Sequence, residues 1–180
     1  MMQFIETIFP GAWLIEPAPA WDSRGSFTRT FCAQEFAEHG LETNFVQHSS
    51  SYTVAKGTLR GMHLQRAPHG EIKVVGCRSG AIWDVIIDLR AESPTYGRWL
   101  SFELTPENRC QLYIPAGVAH GFQALCNDTE VQYLISAFYE PSAASGVRYD
   151  DPAFAIDWPL PPTAISERDS AWPYLDRSSR

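Results

Sequence analysis

From residue 73 onward the chain alternates short β-type runs with turn residues at nearly regular intervals. That punctuation constrains the fold more than any other feature. The runs fall at residues 73–79, 81–89, 98–104, 110–114, 121–126 and 130–139, separated by Gly80, Ser93-Pro94, Pro106-Glu-Asn108, Pro115-Ala-Gly117 and Asn127-Asp128. Several such runs in series predict an all-β sandwich or barrel. Upstream, residues 4–14 read as a strand broken at Pro10-Gly11, residues 16–25 as a loop with turn chemistry, and residues 32–39 as a short helix stopped by Gly40. The tail from about residue 150, rich in Pro, Asp and Trp, is expected to be an irregular extension of a single domain spanning residues 1–180.

At 180 residues and 44% hydrophobic the chain can bury one well-formed core. A net charge of −7 argues against general nucleic-acid binding, which needs a basic surface, and leaves an anionic small ligand only where the few cations converge. Cys32, Cys77, Cys110 and Cys126 form no CxxC pair and read as reduced thiols. The N-terminus lacks the basic-then-apolar order of a signal peptide, and no apolar run approaches the ~20 residues that span a bilayer. The expectation is a cytoplasmic protein with no membrane partner.

Two histidines stand beside glycine-marked backbone, in Gly57-Thr-Leu-Arg-Gly-Met-His63-Leu-Gln65 and in Pro115-Ala-Gly-Val-Ala-His120-Gly-Phe122. Strand alternation puts Val131, Tyr133, Ile135, Ala137 and Tyr139 on one face of their run, and Lys73, Val75, Cys77 and Ser79 on one face of theirs. If both faces point into a barrel, Lys73, Tyr133 and Tyr139 enter an apolar cavity, where a buried lysine needs a partner or a function. The Pro-x-Gly-x-x-His string resembles the second half-motif of the cupin superfamily of small jelly-roll barrels. Metal-binding cupins carry His-x-His and then Glu in the first half-motif; here Gln65 takes the place of the second histidine, and the next acid, Glu71, stands apart. Two histidines without a carboxylate or thiolate make a poor divalent site, so acid–base chemistry with no metal and no cofactor is expected.

The chain resembles the dTDP-4-dehydrorhamnose 3,5-epimerase family, metal-free cupins acting on nucleotide-linked 4-keto sugars. The likeness runs through Arg24-Gly-Ser-Phe27, Gly57–Gln65, Gly80-Ala-Ile-Trp-Asp-Val-Ile-Ile-Asp-Leu-Arg90, Ser93-Pro-Thr-Tyr-Gly-Arg-Trp99, Pro115–Phe122, Gly146-Val-Arg-Tyr-Asp-Asp-Pro152, Ile156-Asp-Trp-Pro159 and Ile165-Ser-Glu-Arg-Asp169. Each string alone is weak, but together and in this order they are specific. The resemblance implies a cupin-type jelly-roll barrel with a few short helices. It implies His63 as the base, Asp169 as the carboxylate orienting it, Tyr133 as the acid on the opposite face and Lys73 as the stabiliser of the enolate. Histidine's ordinary pKa of about 6.5 suits the base. It also implies a substrate shell of Arg24, Phe27, Arg29, Gln47, His48, Ser49, Arg60, His120, Tyr139 and Arg168. In that shell Arg60 and Arg24 (the latter reaching in from a partner subunit) hold a diphosphate, Tyr139 stacks on the nucleobase, and His120 walls the sugar pocket. A homodimer is implied, in which an N-terminal strand crosses to the partner's sheet.

Some positions depart from the family pattern. Arg29 stands where a glutamate is usual, Ser49 where an asparagine closes a Gln-x-Asn pair, Ala144 in place of a glutamate, Leu134 in place of a lysine, and Met62 for a leucine. The proton-transfer residues are kept while the recognition shell is altered, so the substrate is not fixed as a dTDP-linked 6-deoxyhexulose: the nucleotide stays open among dTDP, GDP and CDP, and a heptose is an alternative sugar. The rival readings are a 3,4-ketoisomerase on the same barrel and a nucleotide-sugar-binding cupin without catalysis. Opposed His63 and Tyr133 favour epimerisation over the first, and the set of His63, Asp169, Tyr133 and Lys73 counts against the second.

Overall fold

The computed structural model describes residues 1–175. In chain order it contains β1 (Met2–Glu6), β2 (Trp13–Pro17), β3 (Pro19–Asp22), β4 (Gly25–Thr28), α1 (Ala33–Glu38), β5 (Gln47–Thr53), β6 (Leu59–Gln65) and β7 (Lys73–Ser79). These are followed by β8 (Ile82–Asp88), β9 (Trp99–Leu104), β10 (Gln111–Ile114), β11 (Val118–Ala124), β12 (Thr129–Ile135), β13 (Ala144–Gly146) and α2 (Glu167–Ser170). One sheet runs β1-β2-β10-β7-β12-β5 and the other β13-β6-β11-β8-β9, while β3 and β4 form a separate hairpin. Neighbouring strands are antiparallel and mostly non-consecutive in sequence, the all-β architecture that the strand punctuation predicts and the jelly-roll type that the resemblance implies.

The central strands β7, β8, β10 and β11 are covered on both faces, which is why they read as nearly continuous apolar runs, while the edge strand β5 is largely exposed and polar. Val75, Ile82, Ile86, Leu112, Phe122 and Val131 fill the space between the sheets. Val74 and Leu134 point out of the first sheet beneath Phe36 of α1. Val85 and Ile87 point out of the second, under Val147 just past β13 and Phe154 from the tail. Among the described residues no helix is long and apolar enough to cross a membrane.

The helix expected at 32–39 forms at Ala33–Glu38, with Gly40 in the left-handed region (φ +69°) donating its N–H to Ala37 O at 3.0 Å. Three expectations need correction. Residues 4–14 are not one broken strand: Pro10-Gly11 reverses the chain, so β1 pairs back on β2 with Glu6 opposite Trp13. The loop of residues 16–25 contains most of a hairpin, its turn set by Asp22 Oδ1 accepting the Arg24 N–H at 2.8 Å. The last long strand stops at Ile135, so Ala137 and Tyr139 lie beyond it and do not share its face.

Candidate active site

The site begins with a close approach of backbones. Strands β6 and β11 pair so that His63 lies directly opposite His120, and the register then shifts through a bulge before Phe122. The strands meet at Gly61 and Gly121. Gly61 has φ +135°, and a Cβ there would lie 2.5 Å from Gly121 Cα. The glycines that flank the histidines in sequence are therefore what lets the two histidines share one wall.

Each histidine holds a different aspartate. His63 Nε2 lies 2.6 Å from Asp169 Oδ1, and Asp169 Oδ2 accepts the Gly61 N–H at 3.1 Å. Asp169 arrives on the short α2, whose N-cap Ser166 accepts the Asp169 N–H at 3.1 Å. Burial of Asp169 would raise its pKa, but the His63 contact and the Gly61 N–H outweigh it and hold the carboxyl below its ordinary value. An ionised Asp169 keeps the proton on His63 Nε2 and leaves Nδ1 as the free basic nitrogen. On the second histidine, His120 Nε2 lies 2.7 Å from Asp84 Oδ1, both side chains being buried. Among the described residues the other oxygen of Asp84 has no hydrogen-bond partner. Burial raises the Asp84 pKa, against the opposing pull of His120 and of the Lys73 charge.

Tyr133 comes from β12 in the other sheet. Its ring stands edge-on to His120 with centroids 6.2 Å apart, and its hydroxyl shares a 3.3 Å hydrogen bond with Ser51 Oγ. Burial keeps this phenol protonated well above its ordinary range. Lys73, on neighbouring β7, pairs with Glu71 Oε1 at 2.7 Å, and both side chains are 11% exposed. The apparently isolated Glu71 thus supplies the partner that a buried lysine requires.

These groups line one cavity of about 740 Å³ between the sheets, large enough for a ligand of nucleotide-sugar size. Its lining includes His63, Asp169, Tyr133, Lys73, His120, Ser49, Arg60, Tyr139 and Arg168. Arg60 is held by Thr53 Oγ1 and Tyr52 O. Arg168 donates to the Tyr139 hydroxyl at 3.3 Å and lies over the Trp172 ring. Four residues of the expected shell lie elsewhere. Arg24 pairs with Asp22 on the exposed hairpin, Phe27 is 73% exposed there, and Arg29 sits 3.5 Å from Glu35 beside α1. His48 is exposed on β5 and does not line the cavity. Gln47 stands outside the lining too, but binds the rim backbone at the Tyr139 N–H, 2.8 Å away.

The comparisons agree with this geometry. A family model described as dTDP-4-dehydrorhamnose 3,5-epimerase matches residues 6–177. The chain belongs to the dTDP-4-dehydrorhamnose 3,5-epimerase family. It is an isomerase of this family, 45% identical over 174 residues to the dTDP-4-dehydrorhamnose 3,5-epimerase of Methanothermobacter thermautotrophicus, a match covering 94% of this chain and 92% of that one. The crystal structure of the Bacillus anthracis dTDP-4-dehydrorhamnose 3,5-epimerase with TDP and PPi bound superposes with a TM-score of 0.95 at 39% identity, covering 97% of this chain and 100% of that one. A 3'-monoepimerase from Streptomyces bikiniensis in complex with dTDP-quinovose superposes with a TM-score of 0.89 at 32% identity, covering 94% and 86%.

Around this cavity, sequence reading missed Asp84 and Ser51. Asp84 did leave a signal, being an acid inside the apolar run Ile82-Trp-Asp-Val-Ile-Ile. Ser51 left none, because the polar string Gln47-His-Ser-Ser-Ser-Tyr-Thr53 shows no alternation although it forms the edge strand β5. Gln65, at the position where a metal site would want histidine, is 3% exposed and spends its amide on backbone groups at His69, Phe138 and Glu140.

Proposed function

We propose that the enzyme inverts C3, C5 or both of a nucleotide-linked 4-keto-6-deoxy sugar, by removing a proton beside the ketone and returning one to the opposite face. The observation that carries this reading is the arrangement of two proton-handling groups on opposite walls of one cavity: His63 with Asp169 on the second sheet, and Tyr133 on the first. His63 Nδ1 takes the α-proton, and the imidazolium so formed is stabilised by ionised Asp169. The electron pair moves into the C4 carbonyl. Lys73, paired with Glu71, stabilises the enolate oxygen from beside Asp84 and His120. Tyr133 then delivers its proton from the far side. Arg60 and Arg168 supply the positive charge for a diphosphate, and Tyr139 supplies an aromatic face for the base.

A thymidine nucleotide is the first choice, by analogy with the TDP and dTDP-quinovose held by the two crystallised relatives. A changed substrate rests now on Ser49 and Ala144, which line the cavity, rather than on Arg29, which does not. The exposed hairpin bearing Arg24, Phe27 and Trp21 supports a homodimer in which it completes the partner's site. Light scattering showing a dimer, and an Arg24→Ala variant with a raised KM, fit that arrangement; a fully active monomer contradicts it. A cytoplasmic location fits the free cysteines at 32, 77, 110 and 126.

The test is solvent exchange. Incubated in D₂O with dTDP-4-keto-6-deoxyglucose, the enzyme should wash deuterium into C3, C5 or both, followed by NMR. Exchange at one carbon alone identifies a mono-epimerase. No exchange with this or any GDP-, CDP- or heptose-linked 4-keto sugar would overturn the reading.

A further inference from the structure

Tyr139 is 55% exposed on the segment 136–143 that forms one lip of the cavity. Exposed aromatic residues on loops ordinarily sit on compliant backbone, but here the backbone is fastened at three consecutive residues. Gln65 Oε1 accepts the Glu140 N–H at 2.6 Å, Gln65 Nε2 donates to Phe138 O at 3.2 Å, and Gln47 Oε1 accepts the Tyr139 N–H at 2.8 Å. The same Gln65 Nε2 also donates to His69 O at 3.0 Å, tying this lip to the segment 66–72 that leads to Glu71 and Lys73. Gln65 lies two residues beyond His63 on β6, so the strand that carries the base also anchors the rim.

We propose that Gln65 is a positioning residue for ligand recognition: it locks Tyr139 in place as a pre-formed platform for the substrate's nucleobase. An aromatic platform ordered before the ligand arrives spares the complex the entropy of ordering it, so the benefit falls on affinity rather than on proton transfer. Gln65 does not touch the reacting carbon in this account. The proposal rests on the reading that Tyr139 stacks on the base.

The test compares Gln65→Met, which keeps the volume and removes all three hydrogen bonds, and Gln65→Ala with wild type, with Tyr139→Ala, and with the Gln65→Met/Tyr139→Ala double variant. Calorimetry measures dTDP binding, and steady-state kinetics use dTDP-4-keto-6-deoxyglucose. The Gln65 variants should raise the dTDP Kd and the KM by about tenfold, with kcat and C–H exchange at saturating substrate within about twofold of wild type. In the Tyr139→Ala background Gln65→Met should add little, because both changes remove the same platform. A fall in kcat with unchanged KM, or losses that multiply in the double variant, would overturn the proposal. A Tyr139→Ala variant that binds dTDP like wild type would instead remove the stacking reading beneath it.

Discussion

His63 and His120 are direct cross-strand partners on β6 and β11, yet each gives its Nε2 to a separate aspartate, Asp169 for the first and Asp84 for the second. The pairing looks like half a metal site in sequence and in space is two imidazoles, each held by its own aspartate. Asp169 is held ionised by its contacts, and Asp84 is pushed toward its neutral form by burial. The first is suited to support a base that must become cationic. The second lies on β8 within reach of the Lys73 charge and holds His120, whose ring faces Tyr133 of the other sheet.

Asp169→Asn should keep the fold and remove the fixed tautomer of His63. We expect kcat to fall by about 10²–10⁴-fold with little change in KM, the range for a positioned base deprived of its orienting carboxylate. Steady-state kinetics, with circular dichroism as a control for folding, decide it. Retention of near wild-type kcat would show that Asp169 does not set the state of His63.

Much of this was legible in the chain because glycine and proline punctuate a barrel at short intervals, and because Lys73 and Tyr133 fall on strand faces that alternation assigns correctly. What escaped was set by contacts distant in sequence. Asp84 joins the candidate site only when β11 brings His120 beside it, and Tyr139 reaches the rim not by strand alternation but by a loop that Gln47 and Gln65 hold. The tail looked irregular and is mostly so, yet its single turn α2 delivers Asp169 across 106 residues of sequence separation to His63.

Gly61→Ala should be among the most damaging small substitutions. The added Cβ meets Gly121 Cα at 2.5 Å, at a φ of +135° that alanine rarely adopts, so β6 must part from β11. A cost of about 2–4 kcal/mol follows from combined strain and lost packing, lowering Tm by roughly 4–16 °C for a domain of this size. Thermal denaturation measures it; an unchanged Tm would mean the two backbones do not approach so closely.

Stability should fall in acid through Asp88. Burial would raise its pKa, but donors from Arg90, Ser93 and Thr95 outweigh that and bring it down to about 2. The unfolded carboxyl, with an ordinary pKa near 3.8, takes up its proton first as pH drops. The stabilisation is therefore complete above about pH 5 and is lost as pH falls from about 4 toward 2, amounting to about 2 kcal/mol. Urea unfolding across that range should show the loss in wild type and a flatter limb in Asp88→Asn. Parallel limbs would contradict the assignment.

The two-sided proton exchange is tested most directly by Tyr133→Phe in D₂O with a 4-keto nucleotide sugar that wild type epimerises. In the proposed mechanism His63 works from one face only, so the variant should still exchange the α-proton for deuterium, with retention of configuration, while inversion falls by at least about 10²-fold. Equal loss of exchange and inversion, or inversion at the wild-type rate, would contradict the assignment of His63 and Tyr133 to opposite faces of the sugar.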